Sequence, residues 1–186
     1  MSFPVAVKLA SADIPHKTEA DAVRLGVKSL EELKAAAQAV TAGARQHAPN
    51  ARIDGISVQE MASGVEMIVG AVNDPHFGPY VMVGLGGVLT EVLHDVSHRF
   101  APVTAADARD MLAELKGAKI LDGYRGAAPV DVEAVVDVLV RLSLLISDHR
   151  DRVSEIDINP LFARAQGKGV VAADALVVLR ENTGST

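Results

Sequence analysis

No cysteine occurs among the 186 residues, which excludes a disulfide framework, a thiolate metal site and a cysteine nucleophile. Tryptophan is absent as well, and four Phe and two Tyr are the only phenyl and phenol rings. The core therefore has to be built from Val, Leu, Ile and Ala. Basic residues are in deficit, 18 Lys and Arg against 24 Asp and Glu, for a formal net charge of −6. A duplex-binding protein draws much of its affinity from Lys and Arg on phosphates, so this balance argues against nucleic acid as a partner. It leaves a nucleotide open, because one lysine and a few backbone amides can hold phosphates inside an acidic protein. No apolar run approaches the length of a membrane span. The Met-Ser-Phe-Pro start leads into a strand-like run rather than a signal peptide. The expectation is a cytoplasmic protein with no membrane partner.

What is present is a globular balance, 49% hydrophobic and 23% charged, in a length that suits one domain or two small lobes. Phe3 to Ala10 alternates, with Val5, Val7 and Leu9 on one face and Ala6 and Lys8 on the other, which predicts a strand. Ser11 to Ala22 is polar, holds Pro15 and reads as a loop, and Val23 to Lys28 alternates again. Ser29 with Glu32 three positions on fits a capping box, and the helix it opens carries Leu30, Leu33, Ala37, Val40 and Ala44 inward until Pro49-Asn50. Strands are predicted over Gly55–Met61, Val65–Val72 and Tyr80–Val83, followed by a tight turn at Gly84-Leu-Gly-Gly87 and another strand from Val88 to about Asp95. Thr104 with Asp107 starts a second helix with Ala108, Met111, Leu112 and Leu115 inward. A third runs from about Asp131 to Ser147. Strands over Val153–Leu161 and Gly169–Leu179 close the chain around a turn at Gln166 to Gly169. The fold class is α+β with largely antiparallel strands.

The last hairpin carries the clearest chemical pattern. Glu155, Asp157 and Asn159 alternate along one strand face, with Ile156 and Ile158 on the other. If the hairpin centres on Gln166-Gly167, Asn159 falls across from Asp174, and cross-strand partners stand about 5 Å apart, close enough to share a cation. Oxygen donors without cysteine or clustered histidine favour Mg²⁺, which takes one or two protein ligands and completes its shell with water and phosphate. A solvated strand face with scattered acids is the other reading of the same residues. Lys8, mid-strand among apolar neighbours, either snorkels to solvent or meets an anion such as a phosphate. His16 in the following loop has the chemistry of a phosphoryl acceptor, and equally that of an ordinary surface residue. Gln59, Glu60 and Met61, with Glu66 beyond the next turn, flank a strand-to-strand connection. Such a connection can offer backbone groups to an adenine edge and a carboxylate to a ribose, or it can be a solvent-facing edge. The glycines at 84, 86 and 87 are explained by turn chemistry, and neither a P-loop nor a dinucleotide fingerprint is present.

Taken in order, Phe3-Pro-Val-Ala-Val-Lys8, Ser11 to Glu19 with His16-Lys17, Gln59-Glu-Met61, Gly64-Val-Glu66, Asp74-Pro-His-Phe-Gly-Pro79, Gly84 to Glu91, Leu121-Asp-Gly-Tyr-Arg-Gly126 and Glu155 to Leu161 resemble the ATP-grasp domain of the NDP-forming (ADP-forming) acyl-CoA synthetases. These are relatives of the succinyl-CoA synthetase β subunit. The resemblance runs from Phe3 to about Leu179, implies a two-lobed ATP-grasp domain over residues 3–179, and leaves 180–186 as a polar tail. It implies a ligase that joins a carboxylic acid to CoA while ATP is split to ADP and phosphate. By the same resemblance His16 carries the phosphoryl group, Lys8 binds nucleotide phosphates, and Gln59, Glu60, Met61 and Glu66 contact the nucleotide. Asn159 and Asp174 hold Mg²⁺. ATP or ADP and Mg²⁺ are the implied cofactors, with CoA supplied through a CoA-binding succinyl-CoA-ligase-like domain or subunit.

Two departures from the family pattern shape further expectations. Asp21-Ala22 stands where a Gly-Gly turn is usual, and an aspartate near the phosphates would repel them. The helix and strand that precede the lysine-bearing strand in the family are missing. That leaves a sheet edge open to pairing with another chain, a homodimer among the options. A degenerate regulatory or assembly module without catalysis, and a different ATP-grasp carboxylate ligase, are the competing readings.

Overall fold

The structure, a computed structural model, describes residues 2–14, 17–87, 94–124 and 126–180. The chain divides into two compact units, Met1–Met61 and Ala62–Thr186.

In the first unit, β1 (Val5–Ala10) is the centre of a three-stranded antiparallel sheet, between β2 (Val23–Val27) and β3 (Gly55–Glu60). The alternation works as predicted: Val5, Val7 and Leu9 are buried, packing with Val40, Ala36 and Ala44 of α1 (Leu30–His47). Each fully buried Val or Leu among them contributes roughly 1.5–3 kcal/mol. Ser29 caps α1, its hydroxyl accepting from Glu32 N at 3.1 Å. Glu32, however, reaches past the cap to the N–H of Lys28, at 2.7 Å, so the expected reciprocal box is displaced by one residue. Leu30, expected inward, is exposed.

The second unit is built on a mostly antiparallel sheet in the order β6-β5-β4-β7-β8, with β9 also paired to β7. Its strands are β4 (Val65–Asp74), β5 (Gly78–Leu85), β6 (Val96–Phe100), β7 (Val153–Ala163), β8 (Val170–Ala172) and β9 (Ala175–Leu179). One face packs on α2 (Ala105–Ala113) and α3 (Val132–Asp148) through Met67, Val69, Val81, Val83, Met111, Leu139, Ile146 and Leu161. Thr104 and Asp107 form the predicted reciprocal cap on α2, at 2.8 and 3.2 Å.

Two expectations are corrected. The strand predicted over Val88–Asp95 falls largely outside the described residues. Its last two, His94 and Asp95, are described and carry no strand, and the next strand among the described residues is Val96–Phe100. Gly84 and Leu85 belong to β5, so the turn expected to start at Gly84 comes only after Leu85.

The last strand is broken into β8 and β9. The break faces Pro160, which has no N–H to give to the ladder. Opposite, on the β4 side, Asn159 and Pro160 together face the single residue Ile68, between the pairs Val69–Ile158 and Met67–Leu161. This β-bulge shifts the alternation by one residue. Ile156 and Ile158 before it, and Leu161 and Ala163 after it, therefore all reach the same core.

Candidate functional site

The hairpin register is the one its turn predicts. Ala163 pairs with Val170, Phe162 with Val171 and Leu161 with Ala172. Beyond the break, Ile158 pairs with Ala175, Asp157 with Leu176 and Glu155 with Val178. The same register sets Asn159 across from Asp174, and the Asn159 N–H donates to the Asp174 carbonyl at 3.3 Å. Neither side chain is sealed in the core, Asn159 being exposed and Asp174 half-buried. One Asp174 carboxylate oxygen accepts from Ala175 N at 3.0 Å.

Glu66 is on β4, the strand next to β7, across from Phe162. Its neighbours Met67 and Val65 face the helices or pack against their core, so Glu66 takes the opposite, exposed face. The residue that presses on it is Gly86. Gly86 N donates to the Glu66 carbonyl at 2.7 Å. A Cβ on Gly86 would meet Glu66 Cβ at 2.9 Å and its carbonyl carbon at 3.0 Å, and one on Gly87 would stand 3.5 Å from a carboxylate oxygen of Glu66. Turn chemistry alone therefore does not explain these glycines. They let the end of β5 lie flush on Glu66, a tertiary contact with no local sequence signal. Glu66 is thus on β4, Asn159 on the neighbouring β7, and Asp174 in the break between β8 and β9.

In the first unit, Lys8 is half-buried on the central strand, opposite Ser57 on one side and Val23 on the other. Gln59 faces Ala6 and donates to the Ser57 hydroxyl at 3.2 Å. Directly opposed residues project to one side, so Lys8, Ser57 and Gln59 share the sheet face turned away from α1. Glu60 ends β3, and Met61, also exposed, is the last residue of the unit. His16 lies outside the described residues.

The turn that returns the chain to β2 is described from Lys17 onward. It is closed by Ala22 N on the Lys17 carbonyl at 2.8 Å and tied to β1 by Leu9 N on the Ala22 carbonyl at 2.9 Å. Asp21 takes φ 52°, the left-handed conformation that the usual glycine would supply. Its carboxylate is held by both terminal nitrogens of Arg24, and this pairing lowers the Asp21 pKa below the ordinary carboxylate range. Arg24 lies across from Val7, on the α1 side of the sheet, whereas Lys8 is on the other. The Asp21 charge is therefore paired with Arg24, which offsets part of the charge that an unpaired aspartate would present. The turn also rests on α1 at Gly43, where a Cβ would stand 2.7 Å from the Asp21 carbonyl oxygen.

Among the described residues no group of three His, Cys, Asp or Glu side chains could hold a metal, and no helix is long and apolar enough to cross a membrane. A single carboxylate opposite an amide oxygen is a donor set of the kind that suits a magnesium ion shared with phosphate and water.

Two units, each an antiparallel sheet packed on helices, define an α+β class. The ATP-grasp domain model matches residues 1–179, and the chain belongs to that family. It is 43% identical over 181 residues to the β subunit of acetate–CoA ligase [ADP-forming] II from Pyrococcus furiosus, covering 97% of this chain and 77% of that one. The dinucleotide-forming acetyl-coenzyme A synthetase 1 of Ca. Korarchaeum cryptofilum, solved with coenzyme A, Ca-AMPCP and HgCl+, superposes with a TM-score of 0.88. Identity is 42%, over 96% of this chain and 77% of that one. A second structure of that synthetase holds coenzyme A and Mg-AMPPCP, with its phosphohistidine segment pointing towards the nucleotide binding site. It matches with a TM-score of 0.78 at 38% identity, over 96% and 78% of the two chains.

Proposed function

We propose that this chain is the nucleotide-binding part of an ADP-forming acid–CoA ligase, acting with a CoA-binding domain or subunit. The observation that carries this reading is the facing pair Asn159 and Asp174, in register across the hairpin and outside the apolar core. In it, Asn159 and Asp174 hold Mg²⁺, which when bound offsets charge on the nucleotide phosphates. Lys8 adds a fixed positive charge on its sheet face. Gln59, Glu60 and Met61 offer backbone and side-chain groups to the base, and Glu66 offers a carboxylate to the sugar. His16 accepts the phosphoryl group on a ring nitrogen and returns it to ADP. The similarity to an ADP-forming β subunit and to synthetases solved with coenzyme A supports a CoA-binding partner.

The competing reading, a degenerate regulatory or assembly module that binds ligand without catalysis, draws on Asp21-Ala22 in place of Gly-Gly and on the missing first elements of the domain. The Arg24 pairing and the retained left-handed turn speak against it.

ATP with magnesium is expected to raise the melting temperature, by the equivalent of about 2.7 kcal/mol at a hundredfold excess over Kd. Asp174→Ala is expected to abolish that rise. Incubation with ATP should label His16, and His16→Ala should stay unlabelled. An unchanged melting curve at saturating nucleotide would overturn the reading.

A further inference from the structure

The candidate cation ligands sit beside Pro160, where the second arm is broken between β8 and β9, and β8 is a three-residue strand at the end of the sheet order. Besides the β4–β7 ladder, which holds the Asn159 arm, the hairpin is tied to the unit near its turn by Asp131, the N-cap of α3. One of its carboxylate oxygens caps the helix, accepting from Ala134 N at 3.3 Å, and the other accepts from Gly169 N at 2.8 Å. Its own N–H donates to the Arg164 carbonyl at 2.8 Å. Arg164 follows Asn159 along one arm and Gly169 precedes Asp174 along the other, so Asp131 grips both arms. Gln166 N on the Pro129 carbonyl, at 2.9 Å, adds a third tie. The helix behind the clasp is itself immobilised through buried Val135, Val136, Leu139, Leu142 and Ile146.

We propose that Asp131 is a positioning residue that holds Asn159 and Asp174 at the spacing a shared divalent cation needs. The inference rests on the cation site proposed above. Ordering of the two arms is done before the ion arrives, so less of the binding free energy goes into fixing them.

Asp131→Asn separates clasp from cap. The amide oxygen still caps Ala134 N, but the NH₂ group cannot accept from Gly169. In the full chain without metal, exchange of the Gly169 amide should accelerate about tenfold or more. The ligand-free melting temperature should move by no more than about 2 °C. The magnesium concentration that gives half of the ATP-induced melting shift should rise about five- to tenfold, since the arm from Gly169 to Asp174 must be re-ordered on binding. Glu133→Gln, which removes a charge nearby on α3 without touching the hairpin, should leave that concentration unchanged. A faster Gly169 amide or a lower ligand-free melting temperature with an unchanged magnesium midpoint would make Asp131 structural only and overturn the inference. So would an equal shift in Glu133→Gln. A wild-type chain with no magnesium-dependent response overturns the cation site and this inference together, while the Gly169 exchange rate still reads the clasp alone.

Discussion

Arg24 holds Asp21 in a two-pronged grip, with guanidinium-to-carboxylate distances of 2.6 and 2.7 Å. The aspartate that replaces a glycine thus arrives with its own counter-charge, and the pair presents a small dipole instead of a net charge. At physiological ionic strength such a dipole is screened within about 8 Å. Asp21→Gly is therefore expected to leave nucleotide affinity unchanged. Arg24→Ala, which leaves the Asp21 charge uncompensated, should weaken it. Calorimetric titration of both variants with ATP and magnesium checks the asymmetry, and equal effects would show that the ion pair is irrelevant to the ligand.

The same logic gives the sign of a pH dependence. Asp21 is lowered by Arg24, Asp74 by the N–H groups of Phe77 and His76, Asp107 by Thr104, Glu114 by Arg99 and Ser97, and Glu133 by Arg109. A carboxylate whose folded pKa lies below its unfolded one adds stability that is fully present above the unfolded value. That stability is lost as pH falls through the folded one. Urea midpoints should therefore be level from pH 7 to about pH 5 and fall below roughly pH 4. Glu114→Gln, which removes the contacts to Arg99 and Ser97, should shallow the fall. A midpoint that rises on acidification would contradict the sign.

How much of this was legible in the sequence depended on whether the determinant was local. The hairpin register followed from the Gln166-Gly167 turn, since Gly167 at φ 76° supplies the turn and pairing outward from it is then forced. The cap of α2 followed from Thr104 and Asp107. The strand β6 was not legible because its pattern is inverted. Ser97 is buried, satisfied by Glu114, while His98 and Phe100 face solvent, so the apolar run before it was the better-looking strand. Of the candidate site, Asn159 and Asp174 could be paired from spacing. The roles of Gly86 beside Glu66, and of Asp131 beside Gly169, depend on residues brought together only by the fold.

Gly86 yields a sharp test of the Glu66 contact. An added methyl group would lie 2.9 Å from Glu66 Cβ and 3.0 Å from its carbonyl carbon, and the backbone there cannot yield as a flexible side chain would. Gly86→Ala is expected to cost about 1–3 kcal/mol, as overpacking does, read as a lower urea midpoint. It should also displace Glu66 and weaken ATP binding beyond what Glu66→Gln alone produces. A stable variant with unaltered affinity would mean that the glycine serves only its own turn.

The strongest test of a shared cation is to add charge rather than remove it. Asn159→Asp places two carboxylates directly across the strand pair. Without a cation, like charges so placed destabilise by roughly 0.2–1 kcal/mol, so the metal-free melting temperature should fall by a few degrees at most. With magnesium the same two groups form a harder, more negative site, because charge count sets affinity for such ions. Magnesium alone should then raise the melting temperature of the variant more than that of the wild type, and calcium should do so as well. The two halves of the expectation have opposite signs and a single geometric cause. A metal-free chain that loses stability yet gains nothing from magnesium would mean that the two side chains repel without converging on an ion. A chain that does neither would mean that they do not face each other at all.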